Sequence, residues 1–143
     1  IGYNFRLTNI QAALGVTQLE QLSRILKKRK EIHNFYQSTI VKIESLSLSK
    51  VPDYADNNHW MNLLQIDSNI SGEDSETLMQ RFEENRIQTR PVWRLNHQQK
   101  PYKGSQSYKI ENANHLVKNS LCLPSSSNLS KNDLNKIISV LNA

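Results

Sequence analysis

Four histidines and one cysteine are the side chains best suited to metal binding or to nucleophilic and acid–base chemistry, and their spacing argues against those uses. His33, His59, His97 and His115 stand on separate segments with no ligand spacing, so no metal is expected. His59 opens an apolar run and reads as a hydrogen-bonded core residue rather than a ligand. Cys122, between Leu121 and Leu123, has no second cysteine to pair with. That excludes an intrachain disulfide and a multi-cysteine zinc site, and it fits a reducing, cytoplasmic compartment. Glu83 and Glu84, like Asp53 and Asp56, read as solvated pairs rather than acid/base dyads; Ser125 to Ser127 lack a matching Ser-His-Asp order; no glycine-rich phosphate loop is present. What remains is the chemistry of recognition. Arg6 stands two residues beyond Asn4, so an extended segment puts both on one face. Its planar guanidinium could clamp a phosphate or carboxylate bidentately, or form a surface or interface ion pair. Asn4 alone reads as a loop residue. Its amide could nonetheless donate to a phosphate oxygen just ahead of a helix N-terminus, where anions are favoured.

The elements that must position these side chains follow from hydrophobic spacing. Thr8 or Asn9 can cap a helix running to about residue 40. Ile10, Ala13, Leu14, Leu19, Leu22, Ile25, Leu26, Ile32, Phe35 and Tyr36 recur at three- and four-residue intervals and predict one buried face. Such a helix is near ~50 Å long, more than a small domain can cover, and so is expected to bridge domains or subunits. Gly15 inside it costs about 1 kcal/mol relative to alanine, which would suit a close backbone contact there. Strands are predicted over 41–48, 59–67 and 87–92, a helix over 74–85, a long polar loop over 93–108, and a helix over 110–119. Residues 121–124 read as short and extended. Ser130, with Asp133 in capping-box position, opens a last helix that buries Leu134, Ile137, Ile138 and Leu141. The fold class is α+β, a long helix followed by a small sheet packed with helices.

The chain begins with Ile1 rather than Met and reads as a fragment. Its hydrophobic content of 37% is low for a chain that buries its own core, yet the periodic segments argue for a folded unit completed by a partner domain. The net charge of +5 allows nucleic-acid binding. However, the densest basic run, Lys27 to Lys30, reads as a solvated helix face. A basic surface would also suit a phosphate-bearing small substrate. The solvated-face reading leaves no nucleic-acid partner expected, and since no apolar run approaches the ~20 residues of a membrane span, no membrane partner is expected either.

Gly2-Tyr3-Asn4-Phe5-Arg6-Leu7-Thr8-Asn9-Ile10-Gln11-Ala12-Ala13, running into Gln18-Leu19-Glu20-Gln21-Leu22, resembles the segment that opens the C-terminal half of DegT/DnrJ/EryC1/StrS aminotransferases. Asn85 to Trp93, His97, Pro101-Tyr102 and Leu123-Pro124 agree with it, so the resemblance covers essentially the whole chain. It implies the small C-terminal domain of a fold-type I transferase dependent on pyridoxal 5'-phosphate. Residues 1–40 would be the end of the large domain and a long interdomain helix, residues 41–143 the small domain, with the cofactor-binding large domain outside this chain. It further implies a homodimer with shared active sites. Asn4 would reach the cofactor phosphate of the neighbouring subunit, with Arg6 beside it. Arg90, Trp93 and His97 would contact substrate: Arg90 a sugar or diphosphate oxygen, Trp93 as an apolar wall for the hexose, His97 as a donor. Many relatives carry a His-Tyr pair near Pro91 and Val92. This sequence resembles instead the R-P-x-W variant of enzymes for 4-amino-4,6-dideoxy sugars.

The implied activity is amino transfer, with glutamate as donor, to a keto sugar linked to a nucleotide, in bacterial surface polysaccharide or lipopolysaccharide synthesis. The Schiff-base lysine is expected upstream of the first motif, so no catalytic residue is assigned here and the chain alone is expected to be inactive. Two alternatives stay open at this point: a dehydratase variant of the same family, and a basic nucleic-acid-binding or interaction module.

Overall fold

Thr8 fixes where the long helix starts. The computed structural model describes residues 6–143. In it the Thr8 hydroxyl accepts from the Gln11 N–H at 3.3 Å, while the Gln11 side-chain oxygen accepts from the Thr8 N–H at 2.9 Å. Two orphan donors of the first turn are thereby satisfied, and α1 (Asn9–Ile40) runs on for 32 residues. Only its last third is packed. Ile32, Tyr36 and Ile40, four residues apart, are buried against the sheet, and Phe35 is half-buried beside them. The single buried face expected along the whole helix is not found among the described residues: Ile10, Leu14, Leu19, Leu22 and Leu26 are exposed. A Cβ on Gly15 would meet nothing within 4 Å, so the close contact expected there is not made by the described residues either. In the basic run, Lys27 and Lys30 are exposed whereas Lys28 and Arg29 are half-buried.

The sheet has four strands in the order β1-β2-β4-β3, all antiparallel: β1 (Leu46–Leu48), β2 (Asn62–Ile66), β3 (Arg90–Pro91) and β4 (Ser120–Leu123). Register is set by Leu46 opposite Ile66, Asn62 opposite Leu123, and Arg90 opposite Cys122. β2 alternates as a strand with one covered face should, burying Asn62, Leu64 and Ile66. β4 is buried at every residue because it runs inside the sheet, and it is the centre of the layer rather than a mere extended connection. The remaining strands are shorter than their apolar runs. Residues 41–45 turn before β1, His59 and Trp60 precede β2, and β3 is two residues long, ending at a proline that cannot donate to a ladder.

Helices α3 (Ser75–Glu84), α4 (Glu111–Lys118) and α5 (Lys131–Leu141) follow, with a single short turn, α2 (Ser68–Ser71), stopped by left-handed Gly72 at φ 72°. Asp74 caps α3 by accepting from the Glu76 and Thr77 N–H groups, which holds its carboxyl below the usual carboxylate range. Ser130 and Asp133 form the capping box read from the sequence. Leu78 and Phe82 of α3 and Leu134, Ile137, Ile138, Val140 and Leu141 of α5 close the core over Leu64, Leu121 and Leu123. The loop over 93–108 holds two 3-10 turns, Asn96–Gln98 and Lys100–Tyr102.

Candidate functional site

Antiparallel pairing brings together residues that lie far apart in the chain. Arg90 opposes Cys122 on the outermost strand pair, and Trp93 follows three residues later. Asn62 opposes Leu123, so the chain just before β2 runs beside the chain just after β4. There the Ser125 hydroxyl donates to the Trp60 carbonyl. One residue earlier, the Pro124 carbonyl accepts from the Tyr36 hydroxyl at 2.8 Å. Burial pushes that Tyr36 hydroxyl far above its ordinary acidity range, so it stays a donor.

The result is a hollow of about 340 Å³ at one corner of the sheet. Arg90 and Trp93 both line it, with Trp60, Met61, Pro91 and Pro124 among its walls. The indoles of Trp60 and Trp93 lie 6.2 Å apart between centroids and are tilted by 46°. They are 54% and 64% exposed, which excludes a core role for Trp93. Cys122 forms part of the lining. Burial pushes its thiol up, and the nearby Arg90 guanidinium pulls it partly back. The Thr89 hydroxyl beside Arg90 is buried and makes no hydrogen bond. An aromatic wall, a guanidinium and a buried hydroxyl in one concavity suit a ligand that is part apolar ring and part anion.

The other residues singled out from the sequence are not brought here. His97 lies in a 3-10 turn and lines a second hollow with Leu95, Tyr102 and Ile110, sharing no residue with the first. Arg6 is exposed just before α1, and no residue of α1 lines the Trp60–Trp93 hollow. Asn4 lies outside the described residues. Trp60 was missed as a site residue because it reads as the opening of a buried strand. The signal that could have found it is Asn57-Asn58 just before, two turn formers whose side chains accept from the His59 and Trp60 N–H groups at 2.8 and 3.0 Å.

His59 does not lie in the core as expected. It adopts φ 48° and stacks on His33, ring centroids 4.0 Å apart. His33 Nδ1 in turn lies 2.8 Å from Asn62 Oδ1. Burial lowers the basicity of His59, the charges of His33 and Lys30 lower it further, and Asp56 opposes them. A hollow of about 680 Å³ opens beside this pair. Its walls mix Lys30, Asp53 and Asp56 and carry no Trp, Tyr or Phe, so mixed charge and the lack of a large apolar ring favour the Trp60–Trp93 hollow as the binding site for a ring and an anion. Among the described residues no three His, Cys, Asp or Glu side chains are grouped to hold a metal ion. Also among them, no helix is long and apolar enough to cross a membrane.

A small α+β domain with a long leading helix and a ring-and-anion hollow at its sheet corner is the class these observations define. The chain belongs to the DegT/DnrJ/EryC1/StrS aminotransferase family, whose family model matches residues 1–142. This is a family of pyridoxal phosphate-dependent aminotransferases. The chain is 33% identical over 147 residues to EpsN of Bacillus subtilis, which is named as an aminotransferase of that kind; the match covers 99% of this chain and 37% of the relative. It is 44% identical over 54 residues, 38% of this chain and 14% of the relative, to the UDP-4-amino-4,6-dideoxy-N-acetyl-beta-L-altrosamine transaminase of Campylobacter jejuni. The fold matches PseC of Helicobacter pylori, an aminotransferase involved in the biosynthesis of pseudoaminic acid, with a TM-score of 0.84 at 21% identity, over 99% of this chain and 38% of that one. The chain thus spans little more than a third of the length of the relatives that it matches from end to end.

Proposed function

We propose that this chain is the C-terminal part of an aminotransferase that moves an amino group from glutamate to a keto carbon of a nucleotide-linked hexose, in the cytoplasm, for surface polysaccharide or lipopolysaccharide synthesis. The observation that carries the reading is the hollow shared by Arg90 and Trp93 in a chain of this family. The named activity of the Campylobacter jejuni relative, a transaminase of a nucleotide-linked dideoxy sugar, supports the substrate class.

Residues 1–40 act as the end of a large domain and its bridging helix, and residues 41–143 as the small domain. The bare apolar face along the first two-thirds of α1 supports this division, since helices in proteins take most of their stability from tertiary packing of such a face. The same bare face supports a homodimer with shared sites. Asn4 and Arg6 are assigned to binding the cofactor phosphate of the neighbouring subunit. The first turn of α1 carries no acidic residue, which leaves the positive end of a 32-residue helix dipole suited to an anion. Bound pyridoxal phosphate supplies an electron sink that lets the amino group pass between donor and acceptor. Arg90 holds a phosphate or sugar oxygen in two-pronged fashion, and Trp93 covers the hexose and keeps water from its apolar face. His97, lining a different hollow, is not assigned to the substrate. The lysine that carries the cofactor lies outside these residues, so the 143-residue chain alone turns nothing over.

The test is borohydride reduction of the full-length protein that carries this chain, in the presence of pyridoxal phosphate, followed by mapping of the labelled peptide. A labelled lysine outside the present sequence supports the reading. Absence of any label removes amino transfer and favours the dehydratase variant. A label within residues 1–143 would show the active site to be wrongly assigned.

A further inference from the structure

Trp93 shares its hollow with Trp60. Trp60 is 54% exposed, yet the backbone beneath it is held on both sides. The Asn58 side chain accepts from its N–H at 3.0 Å, and the Ser125 hydroxyl donates to its carbonyl. The adjoining Pro124 carbonyl is tied to Tyr36, a residue of the packed core. A rigid backbone thus presents a large apolar ring to water, which costs hydration free energy that folding does not recover.

The geometry of the two indoles narrows what they can hold. Their centroids are 6.2 Å apart. A third ring stacked between them would need roughly 7 Å, twice the ~3.5 Å carbon contact distance. They therefore act as one bent wall, not as the jaws of a clamp. A wall bent by 46° offers little area to a flat nucleobase but suits a puckered pyranose, whose C–H faces are apolar and whose hydroxyls leave edgewise. The hollow of about 340 Å³ has room for a sugar ring and an adjoining phosphate, not for a whole sugar nucleotide. Arg90 in the same lining supplies the positive charge for that phosphate.

We propose that Trp60 is a second sugar-positioning residue, forming with Trp93 the wall against which the hexose of a nucleotide-linked sugar lies while Arg90 takes its phosphate. The assignment rests on the reading of the whole protein as a sugar-nucleotide enzyme, and its test is separable from that reading.

The experiment is calorimetric titration of the full-length protein carrying this chain with UDP-N-acetylglucosamine and, separately, with UDP. Wild type, Trp60→Ala and Trp60→Phe are compared. The expected result is a Kd for the sugar nucleotide raised about tenfold in Trp60→Ala and less than about threefold in Trp60→Phe, where a ring remains. The Kd for UDP should be unchanged in both. Equal affinity of wild type and Trp60→Ala for the sugar nucleotide overturns the assignment. So does equal weakening of UDP and UDP-N-acetylglucosamine, the mark of a nucleotide-contacting or merely structural residue. So does a wild type that binds neither probe. Conversion of the bound cofactor by glutamate without any sugar present measures the underlying reading separately. If that conversion fails while the sugar-specific loss in Trp60→Ala persists, amino transfer falls and the sugar site stands.

Discussion

The two ends of α1 are built from the same kinds of residue and live in different worlds. Near its C-terminus, Tyr36 is fully buried and tied through its hydroxyl to Pro124. Near its N-terminus, Leu19 is 69% exposed, and Leu14 and Ile10 with it. Both ends carry apolar side chains three and four residues apart, so periodicity alone does not separate them. The difference lies in what stands opposite: a four-stranded sheet at one end, and nothing within the described residues at the other. Helical pattern is thus a local property, whereas burial belongs to whatever the rest of the molecule supplies.

That contrast can be broken by substitution. Tyr36→Ala should cost about 3–5 kcal/mol, the loss typical of a deleted buried ring, compounded by an orphaned Pro124 carbonyl; urea unfolding of the chain reads it directly. Next come the two capping boxes, one at each kind of helix. Ser130→Ala, at the head of the packed α5, should lower stability by about 1 kcal/mol in the same assay. Thr8→Ala removes the same chemistry from the bare end of α1, so it should reduce helical circular dichroism while leaving the unfolding midpoint in place. Leu19→Ala should be smallest, within about 0.5 kcal/mol for this chain alone, while weakening assembly of the full-length protein by sedimentation.

Acidity sharpens the same comparison, because His33 belongs to the half-buried part of α1 and stacks on His59. His59 binds its proton more weakly when folded than when unfolded. Stability from this group is therefore complete above the ordinary imidazole value of 6.5 and falls as pH drops below it, since the unfolded chain takes up the proton first. Replacing His59 with Gln should flatten the unfolding midpoint across that window. Asp74 and Asp133, held below the usual carboxylate range by their caps, lose their contribution only in stronger acid, as pH falls through their depressed values.

Much of the fold is legible in the chain. Thr8 and Ser130 each open a helix as short polar caps should, and the apolar set of α5 is buried as its spacing requires. The α+β class follows from these elements. Strand ends are less legible. An apolar run continues past the last paired residue: Val41 is apolar yet exposed at the end of a helix, and Leu121 to Leu123 is too short to announce a central strand. Among the residues that line the hollow, Arg90 and Trp93 were singled out through the family resemblance, which named His97 beside them and could not say which of the three share a concavity. Their companions Trp60 and Cys122 were not, because only antiparallel pairing at a distance brings them alongside.

Trp60 and Trp93 are the only two tryptophans in the chain, and they share a single wall. Excited at wavelengths that tyrosine does not absorb, the protein glows from one spot. At 6.2 Å the two chromophores pass excitation between them and report as a unit. An emission trace therefore follows the fortunes of the β3–β4 corner and is blind to the exposed length of α1, so optical melting and helix dichroism on the same sample become two independent gauges of two parts of one molecule.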